Sequence, residues 1–159
     1  MGIADRIDAA LDAASGLLGT ATPPEPPTPT PLPSAPPWPE WDGSASDSAY
    51  EASADLDRQR TQLHAAQRAA ATILTQAREI PVQARLGMAS VRRRWEGDKA
   101  TLGPLAGTAA GDAALLAAGR TRIEESNALI RQTVADLNAA AGRLDAITAE
   151  LPPVPPRSA

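Results

Sequence analysis

LDRQRTQLHAAQRAAATILTQAREIPVQARLGMASV, residues 56–91, and LAAGRTRIEESNALIRQTVADLNAAAGRLDAITAEL, residues 116–151, read as two heptad ladders. The first ladder carries Leu56, Leu63, Ala70, Ala77, Ala84 and Val91; the second carries Leu116, Ile123, Ile130, Leu137, Leu144 and Leu151. A fold at Gly103-Pro104 sets them rung against rung, Val91 with Leu116 at one end and Leu56 with Leu151 at the other. Small residues then face large ones in the middle, which lets two helices approach and interdigitate. The pattern predicts an all-α chain built on a long antiparallel two-helix hairpin, coiled-coil-like, over residues 44–151.

Composition agrees. Phe is absent and aromatics make up 3% of the chain, too few for a thick globular core, whereas Ala with scattered Leu and Ile suits long, close-packed helices. The prolines mark the boundaries: ten of the 16 lie between Pro23 and Pro39 and four between Pro152 and Pro156. Residues 20–43 therefore read as a Pro-rich disordered linker favouring polyproline II, and residues 152–159 as a disordered tail. Residues 1–19 read as a short amphipathic helix. Ile3, Ile7, Leu11, Ala14 and Leu18 fall on one face, Asp5, Asp8 and Asp12 on the other, and Gly19 is a stop. About 15 residues are marginal alone, so this helix is expected to dock, on the hairpin or on another chain.

The first long helix opens around Ser44 to Asp47. Pro81 falls inside it, at a cost of about 3 kcal/mol in a straight helix; a kink is expected there, with the face continuing through Ala84, Met88, Val91 and Trp95. Gly103 is read as the left-handed residue that closes this helix and Pro104 as the first position of the next. Gly97 is a competing stop, and Asp112 a competing start for the second helix. Asn127 sits where the core face of the second helix would continue, as a register-fixing polar rung.

Chemistry is hard to place. Without cysteine there is no disulfide framework, thiol nucleophile or thiolate zinc site. His64, the only histidine, has no acidic partner one turn away, so no metal site is expected. No phosphate-cradling loop, catalytic constellation, cofactor site or small-molecule substrate is evident. The net charge of -4 covers a gradient: residues 1–50 hold one Arg against seven acids, residues 51–100 nine basic residues against six. An acidic arm can fold back on the basic stretch around Arg92-Arg93-Arg94, or each can face a partner. With a sequence pI near 5.0, nucleic-acid binding is not expected. No apolar run is long enough to span a membrane and no basic-led secretory leader opens the chain; the expectation is a cytoplasmic protein or one secreted without a cleaved signal peptide.

Trp95-Glu96-Gly97 lies between the two long Ala-rich stretches. In this the chain resembles the Trp-x-Gly helical-hairpin proteins of the type VII (ESX) secretion systems of actinobacteria, mycobacteria among them, over about residues 45–151. The resemblance implies a turn motif at Trp95 and Gly97 and a secreted or secretion-associated protein that pairs with a similar chain. Apolar residues beyond the ladders, Ile73, Leu74, Leu115, Val134 and Ile147, also predict association, with a second copy or another helical protein. The sequence thus reads as a non-enzymatic helical interaction protein. The alternative is an intracellular scaffold whose Pro-rich arm recruits a partner through Trp38 and Trp41.

Overall fold

A computed structural model of the chain describes residues 2–21, 23–31 and 43–151. Three α-helices account for most of them: α1 (Ile3–Leu17), α2 (Ser44–Leu102) and α3 (Ala109–Ala149), with a short 3-10 helix, Gly103–Leu105, between α2 and α3. No strand occurs among the described residues. Trp38, Trp41 and the tail 152–159 lie outside them; the described part of the Pro-rich segment, residues 23–31, is neither helix nor strand.

The ends of α1 follow local chemistry. Asp5 sits in the first turn, where its carboxylate meets the helix dipole and accepts the Gly2 N–H at 2.7 Å. Gly19, at φ +64°, closes the helix in the left-handed conformation that glycine adopts without a Cβ clash. α2 is 59 residues long and runs through Pro81 without interruption. Its apolar face continues beyond the proline: Ala84, Met88, Val91 and Trp95 are all buried.

The turn departs from expectation. Trp95 and Gly97 are not at it: α2 continues to Leu102, and the Thr101 hydroxyl donates to the Gly97 carbonyl at 3.0 Å, an i to i−4 helical contact. Gly103 opens the 3-10 helix with Pro104 in its first turn, and the left-handed residue is Gly107, at φ +87°. Thr108 caps α3, its hydroxyl accepting the Gly111 N–H at 3.0 Å, while Asp112 accepts the Gly107 N–H at 3.0 Å. So α3 starts at Ala109, at neither Pro104 nor Asp112. A Cβ on Gly111 would lie 2.0 Å from the Leu105 carbonyl oxygen, so this glycine is fixed by the backbone passing over it.

The residues fall into two compact units, Met1–Pro24 with Gln76–Ala139, and Glu25–Thr75 with Ala140–Ala159. In the first unit Ile7, Leu11, Val91, Trp95 and Leu115 form the core, with Ile3, Leu102, Ala118 and Ile123 packed against it. In the second, Ile73 and Ala140 are buried, and Pro27–Thr30 and the α2 residues Gln67, Ala70, Ala71 and Leu74 line an open cleft of about 400 Å³.

The two ladders fare differently. On α2, Ala84 and Val91 are buried and Ala70 and Ala77 half-buried, but Leu56 and Leu63 are exposed. On α3 the buried positions are Gly111, Leu115, Gly119, Ser126, Thr133 and Ala140, with Arg122 and Leu129 half-buried among them. The expected rungs Leu116, Ile123 and Ile130 each follow a seam residue, Leu115, Arg122 and Leu129, by one position. One position is about 100° of rotation on an α-helix, so that ladder lies on the flank of the seam. Leu116 and Leu137 are exposed, and Ile123, Ile130, Leu144 and Leu151 half-buried. The register moves as well: a Cβ on Gly87 would stand 3.1 Å from the Leu129 methyls, where a mirror at Gly103-Pro104 would bring Gly87 to Arg120. Asn127 is exposed, and Ser126 and Thr133 are the buried polar residues of α3.

Candidate interaction site

Two surfaces of the first unit stand out, one filled by α1 and one bare. The filled surface centres on Trp95, which is 1% exposed. Its indole N–H donates to Asp8 Oδ1 at 2.7 Å. Lys99, one turn further along α2, places its ammonium 3.0 and 3.1 Å from the two Asp8 oxygens, 2.9 Å from Glu96 and 5.8 Å from the Trp95 ring centroid, within cation–π range. Arg92 pairs with Asp12 at 2.6 Å, and Arg85 donates to the Ala21 carbonyl at 3.2 Å. The acidic face of α1 is thus turned onto basic residues of α2.

Between the charges the fit is steric. Ile7 and Leu11 enter the core beside Val91, Trp95 and Leu115. Ile7 reaches α3 where Gly119 leaves room: a Cβ there would sit 1.9 Å from its Cδ1. A chain of charges flanks this packing, Arg94 with Glu125 at 3.1 Å, Glu125 with Arg122 at 2.7 Å and Arg122 with Asp98 at 2.8 Å. Hydrogen bonds from Arg122 to Asp98, then to Glu125, raise its pKa. For Lys99, burial lowers the pKa, but hydrogen bonds to Glu96 and Asp8, reinforced by their charges, outweigh it and the net shift is upward.

The bare surface is the apolar ladder of α3. Leu116, Val134 and Leu137 are 48%, 51% and 41% exposed, and half-buried Ile123 and Ile130 lie between them. On a helix these five positions fall within a narrow arc, making one stripe.

Among the described residues no cluster of three or more His, Asp or Glu side chains is placed to hold a metal. No helix among them is long and apolar enough to cross a membrane. The hydrogen-bond network at Trp95 depends on Asp8, which the sequence places only on the acidic face of the N-terminal helix, and on Lys99, which no sequence pattern marks. The signal was present in the charge gradient, since the acids of residues 5–12 and the bases of 85–99 meet here.

Comparison with protein-family models, curated proteins and solved structures gives no match for this chain.

Proposed function

We propose that this chain is a non-enzymatic helical interaction protein that associates, with a second copy or with another helical protein, through the apolar stripe of α3. In this reading α2 and α3 of the first unit form an antiparallel hairpin. Support comes from contacts that descend α2 as they ascend α3: Asp98 with Arg122, Arg94 with Glu125, Gly87 against Leu129. The observation that carries the association is the exposure of Leu116, Val134 and Leu137 beside a seam of smaller and polar residues. A helix facing only its own hairpin would turn that stripe inward.

A role of the type VII secretion-associated kind is part of the proposal and rests on the long, Ala-rich helices. The Trp95 and Gly97 resemblance lends it less, because both residues lie within α2. A scaffold recruiting partners through its Pro-rich arm is the alternative.

The test is the mass in solution by light scattering or sedimentation. A complex larger than the 16.4 kDa chain is expected, alone or with a co-expressed helical partner. Leu116→Glu with Val134→Glu should reduce it to monomer with helicity intact. An unchanged mass in the double variant overturns the stripe as the interface. Appearance in culture filtrate without lysis markers would support the secretion-associated form.

A further inference from the structure

The second surface, independent of the α3 stripe, leads further. We propose that the face built from Val91, Trp95, Leu115 and Gly119 is a receptor for an acidic amphipathic helix. α1 of the same chain fills it, and α1 of a second copy takes its place when the first is displaced.

Three properties make the joint a receptor and not merely part of a core. It is keyed: Gly119 lacks the Cβ that would overlap Ile7, so the entering helix must present a branched apolar residue at that point. It is complementary in charge at two separated places. Asp8 lies against Trp95 and Lys99, and Asp12, four residues on and so on the same face, lies against Arg92. And its occupant depends on it. A helix of 15 residues is marginal in water, so α1 gains its order on the seat, and an empty seat would leave Trp95 and Val91 uncovered.

The covalent link does not confine α1 to its own seat. Residues 18–43 separate α1 from α2, and a segment of that length can span up to roughly 90 Å. The seat of a neighbouring copy is therefore within reach. Tethering gives the resident α1 an effective concentration on the order of millimolar. Exchange is then suppressed in dilute solution and favoured wherever copies are held close together. In physical terms α1 is an intramolecular competitor for the binding face it covers.

The test uses the full chain and a labelled synthetic peptide of residues 2–20. Leu11→Asp in the full chain places a charge in the core and should release the resident helix. The peptide should bind this variant at least tenfold more tightly than the wild type, by fluorescence anisotropy. Adding Lys99→Glu and Arg92→Glu to the variant should weaken that binding tenfold or more. Absence of saturable binding to Leu11→Asp, with α2 and α3 still helical, overturns the proposal; so does equal binding to variant and wild type. Should Leu11→Asp not fold, the unaltered protein decides the matter. Millimolar peptide is expected to speed amide exchange in residues 3–17, and an unchanged rate there overturns the proposal. Neither readout depends on the mass of the assembly, so a failure here leaves the α3 stripe standing, and the reverse.

Discussion

Replacing Gly97 by Ala should stabilise this protein, and replacing Gly107 by Ala should destabilise it. Gly97 lies inside α2, exposed, with nothing within 4 Å of the position its Cβ would take. The Thr101 hydroxyl reaches back to its carbonyl as in an ordinary helix turn. Gly is about 0.8–1.0 kcal/mol worse than Ala in a helix interior, and no packing term opposes the gain. An increase of about 1 kcal/mol, or roughly 2–4 °C in Tm for a chain of this size, is expected. Gly107 has equal room but a φ of +87°. There Ala should cost about 1–2 kcal/mol, the penalty for an L-residue in the left-handed region. The assay is urea and thermal unfolding followed by circular dichroism at 222 nm. The opposite sign at Gly97 would mean that the chain turns at Trp95-Glu96-Gly97 after all, and the assignment of a helix to Leu102 would be wrong. A neutral Gly107→Ala would refute the turn described for residues 103–108.

Asp8→Ala should cost about 1–3 kcal/mol, because it leaves the buried Trp95 N–H without its acceptor. In a urea double-mutant cycle with Trp95→Phe the two losses should fall short of additivity by at least 0.5 kcal/mol, roughly the coupling expected of residues in contact. Stability should also fall in alkali. The Lys99 pKa in the folded chain is raised above its ordinary 10.5, so its contribution is complete below the unfolded value and is lost as pH rises through the folded one. Lys99→Met should flatten the decline in Tm above about pH 10.5. Gly119→Val should loosen α1 by about 1–3 kcal/mol through overlap with Ile7, seen as faster amide exchange in residues 3–17. Gly142→Ala, with open space at its Cβ, should stabilise by about 1 kcal/mol.

What the sequence disclosed followed from backbone constraints. Gly19 ends α1 because a left-handed residue is needed there, and the Pro-rich segment separates α1 from α2 because proline excludes helix interiors. Ala84 and Val91 were legible as core because over residues 84–95 of α2 the apolar spacing and the buried seam coincide. On α3 they diverge. Its seam carries Ser126 and Thr133, whose hydroxyls donate to the carbonyls of Ile123 and Leu129 at 2.9 and 2.8 Å. A hydroxyl satisfied by its own helix can be buried at little cost. Hydropathy ranks such positions as polar and pulls the reading one residue onto the leucines and isoleucines. Trp95 misled for a related reason. An indole followed by glycine suggests a turn, yet one glycine costs only about 1 kcal/mol in a helix, and burying Trp95 against α1 far outweighs that. The contact that holds Trp95, Asp8, lies 87 residues away in the chain, beyond any local pattern.

The displaced ladder also bounds how strongly this chain can associate. Full burial of a Leu or Val side chain contributes about 1.5–3 kcal/mol, and Leu116, Val134 and Leu137 are each about half exposed. Covering what remains of all three therefore contributes roughly 2–4 kcal/mol from each copy, about 4–8 kcal/mol when two stripes cover each other. Before the entropy of association is subtracted, that corresponds to a dissociation constant no tighter than about micromolar. The inner seam cannot take these side chains instead, because Leu129 already presses on Gly87 and Ile7 on Gly119; larger residues there would drive the helices and α1 apart. The apolar surface is thus held outward by the close packing inside, and the stripe alone supports only a weak, reversible contact. A tight complex requires that the partner also cover the remainder of Ile123 and Ile130 or engage charge on the same face. The exposed Arg120, Glu124 and Arg131 lie within a turn of those two isoleucines and are where such a partner would gain its specificity.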